Sequence, residues 1–186
     1  MNTSLSASRI STRVLLTTAA IGVVGGIVNI PNAYAFNAVA ALVPWATGFL
    51  AGFYVLPGFI ALALLRRGGV GLGAELVAGL VAVPFVPGGI ASMIPFLALG
   101  ILMEAPFLMR RYRGWESWFF IVVGALMGVV YGSVWIPFYG DIPVWQMVMI
   151  PVSMAVSVVV FVVIALLIAR GVERTGVVRG LRRGHR

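Results

Sequence analysis

The sequence predicts an all-α integral membrane protein with six transmembrane helices and both termini on the cytoplasmic side. Three observations carry that expectation. Of the 186 residues, 61% are hydrophobic and only 10% charged, with a mean hydropathy of +1.09, whereas a soluble domain carries about 25% charged residues. The apolar residues fall into six runs, most of them approaching the ~20 residues a helix needs to cross ~30 Å of hydrocarbon. The arginines gather in alternate connections between those runs.

The runs lie at about 14–30, 47–65, 70–85, 89–109, 117–138 and 145–169, and residues 170–186 form a basic tail. The length suits a single transmembrane domain. Arg9 and Arg13, followed by an apolar run and Ala33-Tyr34-Ala35, have the outline of a cleavable signal peptide. That run exceeds the core of about 7–15 residues found in signal peptides. It also carries Thr18, Gly22 and Gly26 at four-residue spacing, a stripe of small residues suited to close helix contact. The first helix is therefore expected to be retained. The third run is the shortest, and Pro84, Pro87 and Gly88-Gly89 separate it from the fourth.

The charges set the orientation. Arg9 and Arg13 precede the first run; Arg66 and Arg67 follow the second; Arg110, Arg111 and Arg113 follow the fourth; the remaining arginines follow the sixth. Asp141 is the one charge expected on the opposite side, and the positive-inside rule then places both termini in the cytoplasm. The net charge of +8 is thus a topology signal, and the RGLRRGHR tail suits anionic lipid headgroups rather than nucleic acid.

Several chemistries lack residues. Cysteine and lysine are absent and His185 is the single histidine, so thiolate chemistry, a Walker A loop and a histidine-based metal or catalytic cluster have no side chains to use. GVGLGA, Gly69–Ala74, fits G-x-G-x-x-A formally but follows an arginine pair rather than a strand. No enzyme activity and no cofactor are expected.

Glu104 is the informative residue, because a carboxylate at the centre of a membrane helix costs roughly 2.5–3.5 kcal/mol on insertion scales. Either it snorkels to the cytoplasmic interface or pairs with Arg111, or it faces a protein-lined cavity and accepts hydrogen bonds from a polar or cationic ligand. Glu75 lies near the start of the third run, where the helix dipole and Arg66 or Arg67 favour it. Tyr131 and Trp135 share one face of the fifth helix, as packing and interfacial aromatics or as a stacking wall for a flat ring. Trp45, Tyr139 and Trp145 belong to outer loops and helix ends, where an aromatic belt competes with ligand contact. Asn37 offers an amide in the first outer loop, and Asp141 reads as a solvated acid.

The segment GFYVLPGFIALALLRRGGVGLGAE, Gly52–Glu75, resembles the second helix, basic turn and third helix of S components of energy-coupling-factor (ECF) transporters. More narrowly it resembles the YkoE-like branch assigned to thiamine or its hydroxymethylpyrimidine precursor. The likeness continues through GILMEAPFLMRRY, GALMGVVYGSVW and TGVVRG, over roughly residues 50–180. The resemblance implies six helices, cytoplasmic termini and capture of a vitamin from outside. A transmembrane coupling protein and two cytoplasmic ATPases would power uptake. It implies that Glu104, in the Glu-x-Pro form Glu104-Ala105-Pro106, and Glu75 are the family's glutamates on helices 4 and 3. It also implies docking on the coupling protein through small residues of helix 1, here Thr18, Gly22 and Gly26. Two other readings remain: a proton-coupled secondary transporter with Glu104 as the titrating carrier, and a membrane interaction protein without a solute.

Overall fold

The computed structural model describes residues 11–176; Arg9, the RGLRRGHR tail and His185 lie outside the described residues. Six α-helices follow one another: α1 (Thr12–Leu42), α2 (Gly48–Leu65), α3 (Val70–Ala82), α4 (Met93–Met109), α5 (Ser117–Trp135) and α6 (Val144–Arg174). Short 3-10 turns flank α2, α3, α4 and α5. Five segments are long and apolar enough to cross a bilayer, and the sixth, Val70–Phe85, is a shorter apolar helix.

Side-chain registers show that the helices alternate in direction. Gly22 and Gly26 of α1 meet Ala74 and Ala78 of α3 in the same order, so these two run parallel. Gly79 and Gly100 pair α3 with α4 in opposite order, as Gly124, Gly128 and Gly132 pair α5 with α6. Six alternating passes bring Thr12 and Arg174 to the same end of the bundle. Arg13, Arg66, Arg67, Arg110, Arg111, Arg113 and Arg170 belong to that end too.

Two boundaries differ from the sequence reading. α1 spans 31 residues and passes through Pro31, so residues 31–42, read from the sequence as a loop, are helical. A proline removes one ladder hydrogen bond, but beside lipid the rest of the backbone still requires internal partners and the helix continues. α6 likewise passes Pro151 and ends at Arg174, several residues beyond the apolar run.

The two ends of the bundle are packed differently. Toward the arginine end, Phe59, Leu62, Met103, Phe107, Phe120 and Val162 are almost wholly buried in one cluster. The lipid-facing side is apolar as well, with Leu16, Val24, Leu126 and Leu167 exposed. Burial of carbon alone therefore does little to hold the helices together, and close backbone approach with polar contacts takes over. The α2–α6 seam shows this. Ser157 Oγ donates to Phe49 O at 2.8 Å and accepts from Gly52 N–H at 3.1 Å, while Ser153 Oγ donates to Trp45 O at 2.9 Å.

Candidate functional site

Opposite the arginine end the packing opens into a cavity of about 220 Å³. α1 contributes Ala33, Phe36 and Asn37, and α2 contributes Ala51 and Tyr54. The α3–α4 connection and the first turns of α4 add Val86, Pro87, Ser92, Pro95, Phe96 and Leu99; α5 adds Tyr131 and Trp135. Aromatic rings dominate the wall. Tyr54 sits edge-on to Phe36 at 6.1 Å and to Phe96 at 5.7 Å, and Tyr131 to Trp135 at 5.9 Å. Their four-residue spacing on α5 places Tyr131 and Trp135 together, as the sequence suggested.

A larger groove, about 370 Å³, runs along the flank of α1, α2 and α6, but carbon lines it throughout, Val24, Phe53, Pro57 and Ile168 among them. Of these two, the aromatic cavity combines ring faces with polar groups.

Of the residues singled out in the sequence, Asn37, Tyr131 and Trp135 line the cavity. Asn37 Nδ2 donates to Ala33 O at 2.8 Å, one helical turn back, because the segment expected as a loop is helix. Trp45, Tyr139 and Trp145 lie outside it. Trp45 packs on Trp145 at 6.4 Å, and Tyr139 shares a 2.9 Å hydroxyl–hydroxyl hydrogen bond with the buried Thr47. These residues tie together the chain segments that precede α2 and follow α5.

Glu104 corrects the expectation most plainly. It is 7% exposed, near the arginine end of α4, and does not line the cavity. Its Oε1 accepts the Gly69 N–H, and its Oε2 accepts the Leu72 N–H at 3.2 Å. The first N–H groups of a helix have no partner within it and carry the positive end of its dipole. α3 begins just after Gly69 turns with φ 82°, and a carboxylate from α4 meets its first N–H groups there. The Tyr112 phenol lies against it; burial first, then the nearby Glu104 charge, pushes its pKa up from 10.0 to about 12. The glycine-rich turn dismissed as a nucleotide motif does receive an anion, supplied by this chain itself.

Glu75 sits one turn deeper in α3, fully buried. Its Oε1 accepts the Gly58 N–H at 2.9 Å, beside Pro57 where the α2 ladder is interrupted, and its Oε2 has no partner. Interaction with the helix dipole, expected of Glu75, falls to Glu104 instead. Glu75 lies at the level of the cavity's inner end: its Cβ is 3.3 Å from the Cβ position of Gly100, the neighbour of the lining residue Leu99.

The stripe expected to dock a partner faces inward. An ideal Cβ on Gly22 would lie 2.6 Å from Val77 Cβ, one on Gly26 would lie 2.6 Å from Ala78 O, and Thr18 is buried against Gly73. Close contact was the right inference, but its partner is α3 of the same chain. Tyr54, Phe36 and Phe96 were not singled out from the sequence; among so many apolar residues, nothing separates an aromatic facing a cavity from one facing lipid. Asn29, discussed below, was missed as well, although an amide within the first span is a visible signal.

No curated protein matches the sequence. A solved structure described as the crystal structure of an S-component of an ECF transporter superposes with a TM-score of 0.82 at 19% identity, covering 91% of this chain and 89% of that one. The fold is thus the S-component fold, and the chain is a multi-pass plasma-membrane protein. A family model described as the permease component of an ABC-type cobalt transport system matches residues 13–128, and the chain belongs to that family of membrane transport components.

Proposed function

We propose that the chain is the substrate-binding subunit of an ATP-driven ECF importer, and that it captures a small flat heteroaromatic nutrient from outside. Thiamine or its hydroxymethylpyrimidine precursor is the first ligand to test. A transmembrane coupling protein and two cytoplasmic ATPases would supply the power stroke. The arginine end would face the cytoplasm and the cavity would face outward.

The aromatic cavity carries this reading. Ring faces from Tyr54, Tyr131 and Trp135 suit a flat ligand, which gains from edge-on and offset contacts as well as from burial. At about 220 Å³ the cavity lies below the ~300–1,000 Å³ of sites for drug-sized ligands. A single substituted ring suits that volume better than a two-ring molecule. The unpartnered Glu75 oxygen, enclosed behind the lining at the level of the inner end, would complement an amino group on a ring that reached it. Cobalt, named in the family description, finds less support. Among the described residues no group of three or more His, Cys, Asp or Glu comes together, and the cavity lining has none of these residue types.

The test is a titration of the purified protein with hydroxymethylpyrimidine, thiamine and Co²⁺ in turn, followed by tryptophan fluorescence. Saturable quenching by the pyrimidine, no change with Co²⁺, and weakened binding in Trp135→Ala are expected. A folded protein whose fluorescence neither organic ligand changes would overturn the proposal.

A further inference from the structure

Asn29 is fully buried in α1, and neither its amide nitrogen nor its amide oxygen has a hydrogen-bond partner. Buried amides in folded proteins are nearly always satisfied, so one with both atoms idle in an apolar interior calls for an explanation. Its position supplies one. Gly26, three residues before it, packs on Ala78 and Val81 of α3. Asn32, three residues after it, donates to Leu50 O of α2 at 3.3 Å. Asn29 therefore sits where α1 meets both helices, one turn below Ala33 and two below Phe36 and on their face of the helix. Ala33 and Phe36 are the α1 wall of the aromatic cavity, and Asn29, which does not itself line it, is enclosed directly beneath them, so a ligand reaches its amide only by extending the cavity by one helical turn.

We propose that Asn29 is a specificity-determining ligand contact: its amide reads the hydrogen-bonding edge of a heteroaromatic ring held between the cavity's aromatic side chains. A primary amide offers an acceptor and a donor side by side. Its complement is a ring nitrogen beside an exocyclic amino group, the edge that an aminopyrimidine presents. Glu75 lies deeper and offers only an acceptor, so it cannot make that paired contact alone. The inference rests on the cavity being the ligand site, and it adds the residue that selects among flat ligands. A site with a buried amide left unpaired by the wrong ligand discriminates strongly against it.

Asn29→Leu, close in volume and without the amide, is the decisive variant. Two measurements are made on wild type and variant: thermal unfolding in detergent, and calorimetric titration with hydroxymethylpyrimidine, thiamine and a des-amino analogue of the pyrimidine. Replacing an unsatisfied buried polar group by an apolar one is neutral or stabilising. The variant is therefore expected to melt at or above the wild-type temperature. It is expected to lose about tenfold or more in affinity for both amino-bearing ligands and to bind the pyrimidine and its des-amino analogue alike. Wild-type affinity in Asn29→Leu, or an unchanged preference for the amino-bearing ring, overturns the inference alone. A variant that melts well below wild type or fails to fold also overturns it, since the amide would then be structural. Wild type that binds neither amino-bearing ligand overturns the importer reading, and this inference with it.

Discussion

Removing the Glu104 charge separates two accounts of this residue. If it caps α3, Glu104→Gln retains one oxygen acceptor but loses one N–H bond and the negative charge facing the helix dipole. Hydrogen bonds to a charged group contribute about 1.5–3 kcal/mol each, and one such loss is the expected cost of the glutamine. Glu104→Ala leaves both the Gly69 and Leu72 N–H groups without an acceptor. At about 1–3 kcal/mol for each stranded donor, it should cost roughly 2–6 kcal/mol. For a chain of this size 1 kcal/mol moves the melting temperature by about 2–4 °C, so the glutamine variant should melt roughly 3–12 °C below wild type. Glu104 does not line the cavity, so affinity for hydroxymethylpyrimidine, measured well below the transition, should stay within about twofold of wild type. Melting curves in detergent and calorimetric titration of the same preparations check both expectations. Unchanged melting with a tenfold loss of affinity would refute the capping account and return Glu104 to the ligand.

Trp135→Ala should fold normally and bind the pyrimidine about 3–10-fold more weakly, since an aromatic contact contributes about 0.5–1.5 kcal/mol beyond its area; calorimetry checks this without the lost fluorophore. Gly52→Ala should destabilise by about 1–3 kcal/mol, because an ideal Cβ there lies 2.2 Å from Phe161 Cδ2; unfolding in detergent reports it. Tyr112 has its pKa raised on folding, so the stability it contributes is complete below about pH 10 and is lost as pH rises toward about 12. Tyr112→Phe should therefore lose less melting temperature than wild type between about pH 10 and about 12, the window in which the two proteins are to be compared.

The membrane spans and their alternation were legible because hydrocarbon thickness fixes helix length, and because the arginines record one side. The second half of α1 was hidden by Pro31, whose helix-breaking cost is modest where the surrounding backbone has no water to turn to. The partner of Glu104 was hidden for a different reason: backbone N–H groups carry no side-chain identity, and no residue pattern displays them. Thr18, Gly22 and Gly26 announced a close helix contact, but three-dimensional topology decides which helix makes it. The cavity was legible in part. Tyr131 and Trp135 share a helix face and Asn37 stands at its rim, whereas Tyr54 looks like any aromatic in an apolar run until its neighbours are known.

The stretch between Ala82 and Met93 has a consequence for how a solute enters. It is built from two 3-10 turns, and Gly88 and Gly89 hold it in left-handed conformations. Backbone without a regular ladder is not tolerated against acyl chains, only beside protein or water. Val86, Pro87 and Ser92 line the cavity from this stretch, so its irregular backbone stands beside the cavity. If the proposed importer role holds, a nutrient entering from that side would pass a segment whose left-handed glycines, Gly88 and Gly89, leave no side chain in its way.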